Sequence, residues 1–149
     1  MLRVRSAAPD DLSRLIEIAA HSATAAHWNP AEYKTILAPE SLQNHVVLVV
    51  EEEGIVLGFV VGRQLGPEWE IENIAVTGTA RRRGLGTRLL GELIRLVQRR
   101  GGRAIFLEVR ESNLAARRLY EKWAFVETGR RKAYYQNPDE DAVQLTFSL

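Results

Sequence analysis

The residues of this sequence best suited to chemistry lie in the stretch TARRRGLGTRLL, Thr79 to Leu90. Three consecutive arginines adjoin two glycines, and an apolar run follows at once. Gly84 and Gly86 let backbone N–H groups approach a ligand with no Cβ in the way, and a helix starting there turns its partially positive end to the same spot. Arg81, Arg82 and Arg83 add countercharge and forked donors, so the stretch suits a pyrophosphate. The charge pattern agrees. Residues 1–80 carry 5 Lys/Arg against 11 Asp/Glu, whereas residues 81–131 carry 14 against 5. The later segment is fitted to meet an anion, and the earlier one offers carboxylates to a cation.

Other chemistries lack their residues. There is no cysteine, hence no disulfide, thiolate nucleophile or cysteine-ligated metal. No Gly-x4-Gly-Lys-Ser/Thr loop occurs, and the dinucleotide fingerprint fails because Leu89 stands where its third glycine belongs. No Gly-x-Ser-x-Gly elbow is present. His21, His27 and His45 share no ligand spacing, so no metal is expected.

The elements that must position the glycine stretch follow from periodicity. LRVRSA reads as an edge strand, and APDDLSRLIEIAAHSA as a helix with Asp10 or Asp11 as its cap. NPAEYKTILA is a short helix with Asn29 as cap and Pro30 in its first turn. Two β-branched runs meet at Glu53-Gly54 as a hairpin, and EWEIENIAV is a third strand. From Gly84 the apolar period becomes helical, with Leu85, Leu89, Leu90, Leu93, Ile94 and Val97 on one face and Gly101-Gly102 as the stop. A strand RAIFLEVRE, a helix capped by Ser112 and a closing hairpin complete the order β-α-α-β-β-β-α-β-α-β-β. This is a mixed α/β domain spanning residues 1–149, and 46% hydrophobic residues suffice for its core. No window is apolar enough for a membrane span and no signal-peptide h-region opens the chain, so a cytoplasmic location is expected.

Arg81–Gly86 matches the coenzyme A signature Gln/Arg-x-x-Gly-x-Gly/Ala between a strand and a long helix, and on it the sequence resembles the GNAT superfamily of N-acetyltransferases. IENIAV resembles the strand preceding that signature. FLEVRESNLAARRLYEKWAF, RRKAYY and EDAVQLTF are similar to the RimI type, which acetylates the N-terminal alanine of a small-subunit ribosomal protein. HWNPAEY resembles that type's tryptophan-containing substrate loop, with His27 where a proline is usual. In EKWAF, Trp123 replaces a leucine and Ala124 a glycine, a departure that bears on the turn after the last long helix and leaves the detail of the acceptor pocket open.

The resemblance implies acetyl-CoA as cosubstrate, with its pyrophosphate on residues 81–87 (Leu85 and Thr87 included) and its pantetheine between two splayed strands. It further implies backbone donors around Ile74, Ala75 and Val76 for the thioester carbonyl, Asn113 as a coenzyme contact and Tyr120 as the acid for the departing thiolate. Two carboxylates compete for the base. Glu108 matches the RimI-type base, and Glu70 the position used by lysine-acetylating relatives. Glu72 shares a strand face with Glu70. Trp28, Glu72, Tyr134 and Tyr135 fall at acceptor-binding positions. The expected activity is acetyl transfer to a primary amine, foremost a protein N-terminal α-amine. Acetylation of a lysine or small amine, or a non-catalytic acyl-CoA-binding module, are the alternatives. No nucleic-acid partner is expected, because no stacking aromatics accompany the arginines.

Overall fold

The computed structural model describes residues 1–22, 24–26, 28–80 and 83–149, apart from the Leu42 side chain. The chain forms β1 (Leu2–Ser6), α1 (Leu12–Ala20), α2 (Pro30–Leu37), β2 (His45–Glu52), β3 (Ile55–Leu65), β4 (Glu68–Val76), α3 (Leu85–Arg99), β5 (Ala104–Arg110), α4 (Leu114–Lys122), β6 (Val126–Tyr135) and β7 (Glu140–Ser148). That is the order expected from periodicity. The strands make one sheet, β1-β2-β3-β4-β5-β7-β6, in which β4 and β5 are the parallel pair and the other neighbours are antiparallel.

Helices cover both faces of this sheet. Leu85, Leu89, Leu90, Leu93, Ile94 and Val97 of α3 and Ala116 and Tyr120 of α4 bury against Val46, Leu48, Val50, Val60 and Trp69. On the opposite face Leu15 and Ile18 of α1 and Tyr33, Ile36 and Leu37 of α2 pack on Val47, Val49, Phe59 and Val61. Each fully buried Leu, Ile or Val contributes about 1.5–3 kcal/mol, so packing outweighs the few tenths separating helix propensities. Burial on two faces also explains why VVLVV in β2 has no polar alternation.

Some local signals resolve differently from their sequence reading. Asn29 caps α2 as expected, its Oδ1 accepting from Glu32 N–H at 3.0 Å. Asp11 makes no side-chain cap on α1; a short 3-10 turn, Pro9–Asp11, precedes the helix. The Asp11 carboxylate instead accepts from the Ala8 amide at 2.7 Å and from both terminal nitrogens of Arg5. Arg5 holds its carboxyl below the ordinary range. At α4 the cap is Asn113, not Ser112, because Asn113 Oδ1 accepts from Ala116 N–H at 3.1 Å. The Glu53-Gly54 hairpin has both residues at positive φ, 53° and 79°, the type I′ geometry that matches strand twist.

One irregularity in the sheet shapes the region around β4. Val61 of β3 faces Asn73, yet its neighbour Gly62 faces Ile71, so Glu72 is an extra residue bulged out of β4. A bulge bends its strand and disturbs the ladder beside it. The β4–β5 pairing is short. It holds Glu68, Trp69 and Glu70 against Ala104, Ile105 and Phe106, and beyond them no register pair joins the strands.

Candidate active site

Where β4 and β5 separate, a cavity of about 380 Å³ opens between them. Its walls come from Ile71–Ile74 of β4, Leu107–Arg110 of β5, Asn113, Ala116 and Tyr120 at α4, the α1–α2 loop and Tyr135 of β6. Strand edges that have parted leave backbone N–H and C=O groups without ladder partners, and such groups bind a ligand's amides and carbonyls. The cavity therefore suits a chain-like ligand entering between the strands.

The start of α3 offers backbone amides of the kind that can meet an anion. Gly84 occupies the N-cap with φ 73°, in the left-handed region that glycine enters without penalty. The first helical bond runs from Arg88 N–H to the Gly84 carbonyl, so the amides of Leu85, Gly86 and Thr87 have no partner within the helix. The arginines divide differently from the sequence expectation. Arg83 forks onto Glu52 at the end of β2, with Nη2 2.7 Å and Nη1 3.1 Å from its two carboxylate oxygens. Its guanidinium is thus turned to a carboxylate, which leaves backbone amides rather than this side chain as the open donors of the described helix start. Arg81 and Arg82 lie outside the described residues, as does His27. Leu85 is buried in the core, so it can meet a ligand only through its backbone.

Of the residues singled out from sequence, the cavity wall gathers Glu108, Tyr120, Glu72, Trp28, Ile74, Asn113 and Tyr135. Glu70, Ala75, Val76, Tyr134 and the α3 start stand outside that wall. Glu70 sits opposite Phe106 at the last parallel pair, where the strands are still closed. Burial, then the neighbouring Glu72 carboxylate, push the Glu70 carboxyl above the usual carboxylate range. Ala75 turns into the opposite core layer among Val49, Phe59 and Val61. The Ile74 carbonyl accepts from the Thr24 hydroxyl at 2.8 Å.

Glu108 and Glu72 in the cavity wall each have a basic side chain beside them. Arg131 Nε is 3.1 Å from Glu108 Oε2, and His45 Nε2 is 2.9 Å from Glu72 Oε1, with Arg63 3.9 Å from the other oxygen of Glu72. Tyr120 is 3% exposed, and burial raises its phenol well above the ordinary value, so at neutral pH the hydroxyl keeps its proton. Among the described residues no hydrogen bond engages that hydroxyl. Tyr135 stacks under Arg110, whose Cζ lies 4.5 Å from the ring centroid, while Tyr134 is exposed beside it.

Sequence reasoning passed over Asn73. It is buried, donates from Nδ2 to the Tyr33 hydroxyl at 2.9 Å and accepts on Oδ1 from Ala26 N–H at 2.8 Å. With the Thr24–Ile74 bond it ties the α1–α2 loop over the cavity. The signal was an amide side chain inside the apolar run IENIAV, since a buried amide must find partners. The changes at EKWAF, by contrast, stay away from the cavity. Ala124 takes φ 66°, and the Trp123 ring packs against the backbone of Gly91 in α3. Ala124 thus holds the left-handed position that suits a glycine, and neither residue lines the pocket.

The parted strands, the bulge and the amide-rich helix start define a class. The chain belongs to the acetyltransferase (GNAT) family, whose model matches residues 12–125. It is an N-acetyltransferase that uses acetyl-CoA as acyl donor. More particularly, it is 36% identical over 142 residues to the [Ribosomal protein bS18]-alanine N-acetyltransferase of Haemophilus influenzae, covering 93% of each chain. It is also 37% identical over 122 residues to the N-alpha-acetyltransferase RimI of Mycobacterium tuberculosis, covering 79% of this chain and 73% of that one. The crystal structure of the ribosomal-protein-S18-alanine N-acetyltransferase from Escherichia coli superimposes with a TM-score of 0.87 at 29% identity, over 99% of this chain and 94% of that one. No helix among the described residues is long and apolar enough to cross a membrane.

Proposed function

We propose that this enzyme acetylates the N-terminal α-amine of a protein, of the ribosomal-protein-alanine kind its relatives act on, with Glu108 as base and Tyr120 as acid. The carrying observation is that Glu108 and Tyr120 face one cavity at the point where β4 and β5 part. Acetyl-CoA supplies the activated thioester. The amides of Leu85–Thr87 would hold its pyrophosphate, with Arg81 and Arg82 as countercharge, and Ile74 and Asn113 would border its pantetheine arm.

Glu108 takes the proton of the incoming ammonium. An α-amine of pKa ~7.7–8.0 yields it at pH 7 for about 1 kcal/mol, against about 4.6 kcal/mol for a lysine at ~10.4. A carboxylate can meet the first cost far more readily than the second. Glu108 is favoured over Glu70 because it stands in the open part of the seam, whereas Glu70 lies in the paired part. Tyr120, which burial keeps protonated at neutral pH, hydrogen-bonds the leaving sulfur and gives it the hydroxyl proton as the C–S bond breaks. Trp28, Glu72 and Tyr135 would border the acceptor, with Tyr134 at the rim. Such an acceptor would be met in the cytoplasm.

A thiol-release assay with acetyl-CoA tests the reading over peptides with free N-termini, lysine peptides with blocked N-termini, and small amines. Peptides beginning with alanine should give the highest kcat/KM. A blocked lysine peptide or small amine turned over faster would overturn the acceptor assignment.

A further inference from the structure

The candidate base already carries a cation before any acceptor arrives. Arg131 of β6 reaches across to Glu108 at 3.1 Å, and its Cζ lies 5.1 Å from the centroid of the Tyr134 ring. The two partners differ in freedom: the Glu108 side chain is 18% exposed, that of Arg131 62%. Nearby arginines are held harder. Arg110 is bound by Glu140 and by the carbonyls of Gln136 and Pro138, and Arg130 by Glu111 and Glu127. The β6–β7 ladder also slips register between Arg131 and Tyr135, so the strand around Arg131 is not locked on both sides.

An N-terminal acceptor reaches the site mainly as an ammonium, since its pKa of ~7.7–8.0 lies above neutral pH. Ammonium and guanidinium would then contend for one carboxylate, because the neighbouring Glu72 is already held by His45 and Arg63. We propose that Arg131 is a placeholder for the acceptor's cation: it occupies Glu108 in the acceptor-free enzyme and swings toward solvent along the Tyr134 ring when the ammonium takes its position. Arg131 is thus a positioning residue acting through Glu108, and the inference rests on the reading of Glu108 as base. It gives the cycle a direction. Acetylation removes the acceptor's charge, the neutral amide has no claim on the carboxylate, and Arg131 returns as product leaves.

Steady-state kinetics with an alanine-initiated peptide test this in Arg131→Gln and Arg131→Lys, alongside inhibition by the N-acetylated peptide. At this exposure an ion pair shifts binding modestly, so Arg131→Gln should lower the acceptor KM about two- to five-fold, with a smaller change in kcat. Inhibition by the uncharged product should stay at its wild-type strength, and Arg131→Lys should restore the wild-type KM. A brace for the hairpin, or a direct acceptor contact, predicts the opposite sign. An acceptor KM that rises or does not move in Arg131→Gln overturns the placeholder while leaving Glu108 as base. Full turnover in Glu108→Gln overturns the base itself, a failure read in kcat rather than in KM.

Discussion

The two parts of the proposed site, the α3 start and the cavity between β4 and β5, are built from different materials. At the α3 start the described groups are backbone, the amides of Leu85–Thr87 and a left-handed glycine, with the Arg83 guanidinium turned away to Glu52. In the cavity, where the acceptor is proposed to bind, they are side chains: Glu108 with Arg131, Glu72 with His45, and the rings of Trp28 and Tyr135. A pyrophosphate is one fixed anion, and backbone dipoles can be set for it once. An acceptor must be deprotonated, held and released, which calls for groups that titrate or move.

Substitutions in the two parts should therefore break different constants. The largest effect is expected from Glu108→Gln, which should lower kcat about 10²–10⁴-fold while coenzyme binding, measured by calorimetry, holds near the wild-type value. Glu70→Gln should cost less than a tenth of that. Comparable losses in the two variants would make the paired part of the seam, not its open part, the seat of the base. Glu70→Gln also carries a pH signature. The Glu70 carboxyl is raised above its ordinary range, so the folded state binds that proton more tightly and stability falls as pH rises through the raised value. The variant should gain on wild type in thermal melts at pH 7 and not at pH 4.

At the α3 start, a Cβ on Gly84 meets nothing within 4 Å, so Gly84→Val acts through its φ of 73° rather than through a clash. A left-handed cost of about 1–2 kcal/mol or more reshapes the helix start, and the coenzyme Kd should rise about 5–30-fold. Arg83→Ala should change it less than two-fold, because that guanidinium is spent on Glu52. Equal dissociation constants for the two variants would erase the contrast between backbone and side chain.

In the cavity wall, Asn73→Ala removes the tie to the α1–α2 loop and strands the Ala26 amide and the Tyr33 hydroxyl, at about 1–3 kcal/mol of stability. The peptide KM should rise with little change in coenzyme Kd. The smallest effect is a control outside both parts. Ala124→Gly relieves a positive φ of 66° and should stabilise by about 0.5–1 kcal/mol, a melting shift of a few degrees, without altering either constant.

Much of the architecture was legible because its signals are local. Periodicity placed every strand and helix, Asn29 announced its cap, and Glu53-Gly54 its hairpin, since each depends on residues within a few positions. Where two local partners competed, sequence could not choose. Ser112 and Asn113 are both good caps, and the chain path selected the amide that reaches Ala116. Asp11 looked like a cap until Arg5, brought beside it by folding, claimed its carboxylate.

The sequence by itself determined the order of elements, the glycine-opened helix start and the small set of acids and tyrosines from which a catalytic pair could come. Only the tertiary structure decided which of those acids opens onto the cavity. That choice depends on a bulge at Glu72 and on a parallel pairing that ends at Glu70, both set by register between strands far apart in the chain. The partners of the charges were decided in the same way. Arg83 with Glu52, Arg131 with Glu108 and His45 with Glu72 are matched between segments far apart in the chain, and an arginine carries in its own sequence no record of the carboxylate that folding will bring to it.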